Sequence, residues 1–205
     1  EIKTNTDVLG IYSDRVIPYE ENHVYGRMTG GKIIIATGAS EKMLPFENND
    51  LPGVYGAGAV QTLMNVYGIQ PGKRVLMIGA GNIGLIVSYQ LLQAGVKVAA
   101  IVEAAPRIGG YKVHASKVRR FGVPILTRTT IKAALGETAV TGAVIADVDD
   151  RFQIIPGTER EIEADTICIA VGLAPLSELL FHVGARMHYV PQLGGFVPER
   201  DAYLE

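Results

Sequence analysis

The sequence predicts an α/β chain centred on a parallel sheet, and three neighbouring stretches carry that expectation. Val75 to Ile78 is an unbroken apolar run, the pattern of a strand covered on both faces. It leads into Gly79-Ala80-Gly81-Asn82-Ile83-Gly84, after which a helical period continues to Ala94 and stops at Gly95. A second apolar run, Val96 to Val102, ends on Glu103. Strand, glycine turn, helix and strand thus follow one another within the roughly thirty residues that a mononucleotide-binding unit occupies.

Each part has a physical reason. Ile83, Ile86, Val87, Leu91 and Ala94 fall on one helical face, with Ser88, Gln90 and Gln93 off it. Gly79 permits the tight turn, Gly81 lets a pyrophosphate come close to the backbone, and Gly84 lets helix and strand pack without a side chain between them. Free amides at the start of the helix, at Asn82 and Ile83, favour a dianionic group together with the helix dipole. Glu103 comes nineteen positions after Gly84, where an acid accepts hydrogen bonds from both hydroxyls of an adenosine ribose. A 2′-phosphate would meet like charge there, so NAD is favoured over NADP, and Arg107 is close enough in sequence to keep NADP open. The bland alternative is a glycine turn that only packs.

Composition narrows the field. The chain has 205 residues, 48% of them hydrophobic, with 24 glycines and a formal charge of -2, enough for one large or two small cores. Nothing in it is a basic run, so nucleic acid and anionic membrane are not expected partners. The apolar runs are too short to span a bilayer, and the expectation is a soluble, cytoplasmic protein. Cys168 is the single cysteine and sits inside the apolar run Thr166 to Val171, so packing is its expected role and no internal disulfide or zinc site can form. Glu1 at one end and Tyr203-Leu204-Glu205 at the other read as the ends of an excised piece of a longer protein.

The remaining elements follow in order. Short strand-like runs at Val8 to Ser13 and His23 to Arg27 precede a turn at Thr29-Gly30-Gly31, and Lys32 to Ala36 reads as a buried strand. Ser40 to Gly56 is rich in turn residues and reads as a crossing between domains, whereas Ala57 to Val66 has helical spacing with Val60, Leu63, Met64 and Tyr67 on one face. Lys112 to Arg120 is a further helix, its Val113 and Val118 apolar and its Lys112, Lys117, Arg119 and Arg120 a solvated face rather than a ligand patch. Pro124 to Thr127 is a third parallel strand. Ile131 to Leu135, Val140 to Val148 and Phe152 to Pro156 suggest an antiparallel meander. Thr166 to Val171 returns as a buried strand ending at Gly172, on the strand edge where open sheets bind cofactors. His114, His182 and His188 have no flanking acid or nucleophile and read as surface or packing residues; Tyr89 and Tyr111 read as half-buried aromatics.

Ala36-Thr37-Gly38-Ala39, Leu51-Pro52-Gly53-Val54, the turn from Gly79 to Gly84, and Ala170-Val171-Gly172 before Pro175 together resemble the pyridine nucleotide-disulfide oxidoreductase family of two-dinucleotide flavoproteins. The resemblance covers nearly the whole chain. It implies a Rossmann-like three-layer parallel sheet with an antiparallel β-meander, flanked by partial strands of an FAD domain. Residues 1-50 would be a partial FAD-domain segment and crossing, 51-174 the NAD(P)-binding domain, and 175-205 a partial return to the FAD domain. It adds Thr37, Gly38 and Gly172 to Gly79, Gly81, Asn82, Ile83, Gly84 and Glu103 as cofactor-binding candidates, with Gly172 on the nicotinamide side and no catalytic residue named.

The family's FAD glycine motif and its late Gly-Asp motif have no counterpart in this sequence, so FAD is expected only in the full-length protein. Two departures place the chain within the family. Where disulfide reductases usually carry Glu two positions past the third glycine, this chain has Ile86, and it lacks the CxxC of thioredoxin reductases. The pattern is closest in style to the flavoprotein subunits of sarcosine oxidase, opine oxidase and hydrogen cyanide synthase. The implied activity is hydride exchange between NAD(H) and FAD, with possible partners in a second oxidoreductase subunit or in further copies of the chain as a homo-oligomer. The alternative is a nucleotide-binding domain without turnover, structural or regulatory, in a multisubunit oxidase or dehydrogenase.

Overall fold

The computed structural model describes residues 1–202; the terminal Tyr203-Leu204-Glu205 lies outside the described residues. Two compact units divide the chain, one made of Glu1–Ser40 with the stretch from Leu173 onward, the other of Glu41–Gly172.

The first unit opens with β1 (Thr6–Val8), β2 (Val16–Glu21) and β3 (Val24–Thr29), a three-stranded antiparallel sheet in which β2 is central. Asn22 and His23 turn the β2–β3 hairpin with φ of 52° and 65°, the left-handed pair that matches strand twist. Pro18 hides β2 from a sequence reading because proline breaks strand patterns. The expected buried strand at Lys32 to Ala36 is a correction: it forms no ladder and Ile34 is 92% exposed. Among the described residues no strand lies alongside it, and an extended segment without neighbours leaves both faces in water.

After β4 (Ala39–Glu41) the second unit runs β5 (Val54–Gly56), α1 (Ala57–Asn65), β6 (Arg74–Ile78), α2 (Asn82–Gln93), β7 (Lys97–Glu103), α3 (Lys112–Arg120), β8 (Ile125–Thr127), β9 (Thr129–Leu135), β10 (Gly142–Asp147), β11 (Arg160–Glu163) and β12 (Thr166–Ile169). The chain then returns to the first unit through β13 (Leu173–Pro175), α4 (Glu178–His182), β14 (Met187–Val190) and β15 (Gly195–Pro198).

A five-stranded sheet in the order β5-β12-β6-β7-β8 organises the second unit, and every pairing in it is parallel. Strand alternation splits its side chains between two layers. Val75, Met77, Ile101 and Cys168 point into a core with α1, α2 and α3. Leu76, Ile78, Ala100, Val102, Ile167 and Ile169 point into a second core with the antiparallel sheet β11-β10-β9. Fully covered faces explain why these strands read as continuous apolar runs. Asp165 fixes the register at the amino edge, its carboxylate accepting the Lys73 amide at 2.9 and 3.0 Å and the Arg74 amide at 2.9 Å.

Four further expectations need correction. α2 turns a different stripe inward: Gly84, Leu85, Val87, Ser88 and Leu91 are buried, while Ile83 is 40% exposed. Gly84 must face the sheet, and this fixes the helix's rotation so that Ser88, one turn on, is buried although polar. In α3, Ala115 and Val118 face the core, and Val113 and Tyr111 are exposed. Phe152 to Pro156 makes only the single bridge Val148–Ile154, and the third meander strand is β11. With three charged residues around Ile162, that edge strand carries no apolar pattern to read.

Candidate functional site

Parallel strands of the second unit end on one edge, and β6, at the centre of the sheet, delivers the glycine turn there. Between β6 and β12 the strand order reverses, since β7 and β8 continue to one side while β12 enters from the other; this is where open sheets form a ligand crevice. The structure brings Gly79, Gly81, Asn82, Ile83, Gly84, Glu103 and Gly172 to this edge of the second unit. Thr37 and Gly38 belong to the first unit, where the Thr37 hydroxyl donates to the Leu176 carbonyl at 2.9 Å and the Leu176 amide to the Gly38 carbonyl at 3.0 Å.

The three glycines of the turn do different work. Gly79 has φ of +104°, and a Cβ there would strike the Ala170 carbonyl oxygen. A Cβ on Gly84 would strike the Gly79 carbonyl oxygen and lie 3.3 Å from the Ala170 side chain. Both are required by the protein's own packing. Gly81 is not: its φ of -71° and ψ of 179° suit any residue, and a Cβ there would meet nothing within 4 Å. Its bare Cα borders open space at the start of α2, which has neither a side-chain cap nor an acidic residue in its first turn. The first amides of that helix therefore keep the unsatisfied donors of an N-terminus. A diphosphate fits a cradle of this shape and polarity.

Glu103 lies one strand over, at the end of β7, and is half-buried. Its Oε2 accepts the Ala80 amide at 2.8 Å and its Oε1 accepts the Ala105 amide at 2.9 Å. The sequence assigned this carboxylate to a ribose; the structure shows that it also fastens the glycine turn. Each oxygen has a further lone pair for a hydroxyl. Asn82 likewise has a use that its position in the motif hides, since its Oδ1 accepts the Tyr111 amide at 2.8 Å. Beside it the Gly110 amide donates to the Ala80 carbonyl at 2.9 Å, and a Cβ on Gly110 would lie 2.9 Å from the Asn82 nitrogen. The β7–α3 loop is thus seated on the glycine turn. The pair Gly109-Gly110 was the only sequence signal for this, and it reads as an ordinary loop end.

At the other side of the crevice the Lys42 amide donates to the Gly172 carbonyl at 3.0 Å. Next to it the Glu41 carboxylate accepts the Gly58 amide at 2.6 Å and the Ala59 amide at 3.3 Å, at the start of α1. No local motif pointed to Glu41, because it caps a helix from seventeen residues away. Cys168 is fully buried, and burial pushes its thiol pKa up. His182 and His188 are exposed and His114 half-buried. Among the described residues no group of three or more His, Cys, Asp or Glu side chains is placed to hold a metal ion, and no helix is long and apolar enough to cross a membrane.

Comparison with known proteins agrees with this architecture. Residues 1–197 match the family model described as pyridine nucleotide-disulphide oxidoreductase. The chain belongs to this family. Among curated members, the alpha subunit of sarcosine oxidase from Rhizobium meliloti is 30% identical over 173 residues, covering 83% of this chain and 16% of that protein. An opine oxidase flavoprotein relative from the same organism is 26% identical over 227 residues, covering all of this chain and 48% of that one. Hydrogen cyanide synthase subunit HcnB of Pseudomonas aeruginosa is 24% identical over 200 residues, covering 90% and 43%. The chain thus spans about half or less of each of these relatives' length. Among solved structures, the thioredoxin reductase of T. acidophilum superposes with a TM-score of 0.71 at 23% identity, over 90% of this chain and 59% of that one. That likeness is one of fold. The family is one of FAD- and NAD(P)-dependent oxidoreductases, and the three-layer α/β architecture is the one that the motifs predicted.

Proposed function

We propose that the Glu41–Gly172 unit binds NAD(H) across the carboxyl edge of β12, β6 and β7, as the nicotinamide-nucleotide portion of an FAD-dependent oxidoreductase. The observation that carries this reading is Gly81, a glycine that neither backbone conformation nor packing requires and whose open side faces the unsatisfied amides of α2. The α2 amides would hold the diphosphate. Glu103 would take the adenosine ribose hydroxyls, favouring NAD over NADP by repulsion of a 2′-phosphate. Gly172, with no side chain, would border the nicotinamide side.

The bound nicotinamide would supply hydride chemistry, and the protein's part is to align it and exclude competing reactions. No general acid or base is needed for such a step, in keeping with the absence of a paired histidine or carboxylate at this edge among the described residues. The sarcosine oxidase, opine oxidase and hydrogen cyanide synthase relatives are named as subunits, and we place this chain likewise within an assembly containing a second oxidoreductase subunit. Titration of the chain with NADH, followed by its fluorescence, tests the reading; absence of saturable binding would refute it.

One observation favours a second reading, in which the nucleotide is held without turnover. Ile86 is half-buried where disulfide reductases of this family usually carry glutamate. Saturable NADH binding with no bleaching of the flavin spectrum in the flavin-loaded protein would select that reading.

A further inference from the structure

The carboxyl edge of the sheet carries two helix starts of the same build. Gly79-Ala80-Gly81 joins β6 to α2, and Gly56-Ala57-Gly58 joins β5 to α1. Both helices begin after a glycine at φ -71° with extended ψ, 179° at Gly81 and 153° at Gly56, and neither has a side-chain cap or an acid of its own in the first turn. By helix electrostatics both starts attract an anion. β5 and β6 stand two ladder steps apart, with β12 between them, or about 10 Å along the edge.

What separates them is Glu41. At α2 the space over the bare Gly81 Cα is open, whereas at α1 the equivalent space holds a carboxylate. The Glu41 oxygens accept the Gly58 and Ala59 amides at 2.6 and 3.3 Å, a Cβ on Gly56 would collide with one of them, and a Cβ on Gly58 would lie 3.1 Å from it. The two glycines give the carboxylate the same close approach that Gly81 gives a phosphate.

We propose that Glu41 is a selectivity residue that fills the α1 anion seat, so that a nucleotide diphosphate entering the crevice finds one seat, at α2, and therefore one register. This rests on the reading of α2 as the diphosphate seat. An empty α1 start would compete for the same phosphates two strands away, and a nucleotide seated there would be out of reach of Glu103. With its negative charge in place, Glu41 both satisfies the α1 amides and repels a second anion.

The test is a gain of binding, which a purely structural role cannot produce. The chain with its natural Glu41, titrated with inorganic pyrophosphate by calorimetry, takes up one equivalent, with amide NMR shifts confined to Gly81 through Gly84. Glu41→Ala takes up about two, with new shifts at Gly58 and Ala59. Glu41→Gln keeps an oxygen to accept an α1 amide but loses the charge; it holds the fold and shows the same new shifts at higher pyrophosphate. Unchanged Gly58 and Ala59 signals in both variants, or a stoichiometry that stays at one, overturn the proposal. Absence of shifts at Gly81 to Gly84 in the unsubstituted chain refutes the α2 reading instead, and is a separate outcome.

Discussion

The Glu103 carboxylate and the Ala80 amide are joined at 2.8 Å, linking the end of β7 to the middle of the glycine turn on β6. Glu103→Ala therefore removes two things, a ribose partner and a tie on the turn. NAD affinity is expected to fall by about 1 to 3 kcal/mol, the worth of a hydrogen bond to a charged group. NADP affinity should fall less, because repulsion of its 2′-phosphate goes too. Parallel titrations with both nucleotides check this, and an equal loss for the two would remove Glu103 from the ribose site.

Gly81 and Gly79 separate ligand from fold. Gly81→Val adds atoms where the chain has none within 4 Å, so the melting temperature should stay within a few degrees while NADH binding drops at least tenfold. Gly79→Ala should do the reverse to stability: positive φ and a collision with the Ala170 carbonyl predict a loss of about 1 to 3 kcal/mol or more. Thermal melts beside binding isotherms distinguish the two.

Asn82 and Gly110 hold the β7–α3 loop on the turn. In Asn82→Ala the Tyr111 amide loses its acceptor, and in Gly110→Ala the new methyl must push away the Asn82 nitrogen 2.9 Å off. Amide exchange between Arg107 and Tyr111 is expected to quicken in both variants, with about 1 to 2 kcal/mol lost in global stability.

Much of this arrangement was legible in the residues, for a physical reason. A strand buried on both faces must be apolar throughout, and a helix leaving it at a glycine turn has few conformational choices, so β6, α2 and β7 declare themselves. β2 and β11 do not, since one contains Pro18 and the other is charged on its open face. Their place is decided by partners distant in sequence, not by local preference. Glu41 and Tyr111 were silent for the same reason: each meets the site through a backbone bond, and backbone bonds leave no mark on residue type.

The meander offers a pH test. Lys132 bonds Glu159 at 2.8 Å and holds its carboxyl down at about 2, from an ordinary 4.5. A depressed carboxylate favours the folded form above its ordinary pKa and ceases to do so as pH falls through the lowered one. Lys132→Met should return the Glu159 titration, followed by side-chain NMR, toward 4.5, and loss of this ion pair would then be felt across that window.

Cys168, buried with a raised pKa, should resist thiol reagents in the native chain and react within minutes once it is unfolded. Prompt labelling of the folded protein would contradict its placement in β12.

The amide of Lys42 meets the carbonyl of Gly172 at 3.0 Å, so the nucleotide-binding unit starts and finishes at a single point. A segment closed in this way is a cassette: it can be spliced into a host loop, cut out, or circularly permuted by joining 172 to 41 through a short linker and opening the chain at an exposed turn such as Gly157. Such a permutant would carry the whole sheet from β5 to β12 without the halves of the neighbouring unit.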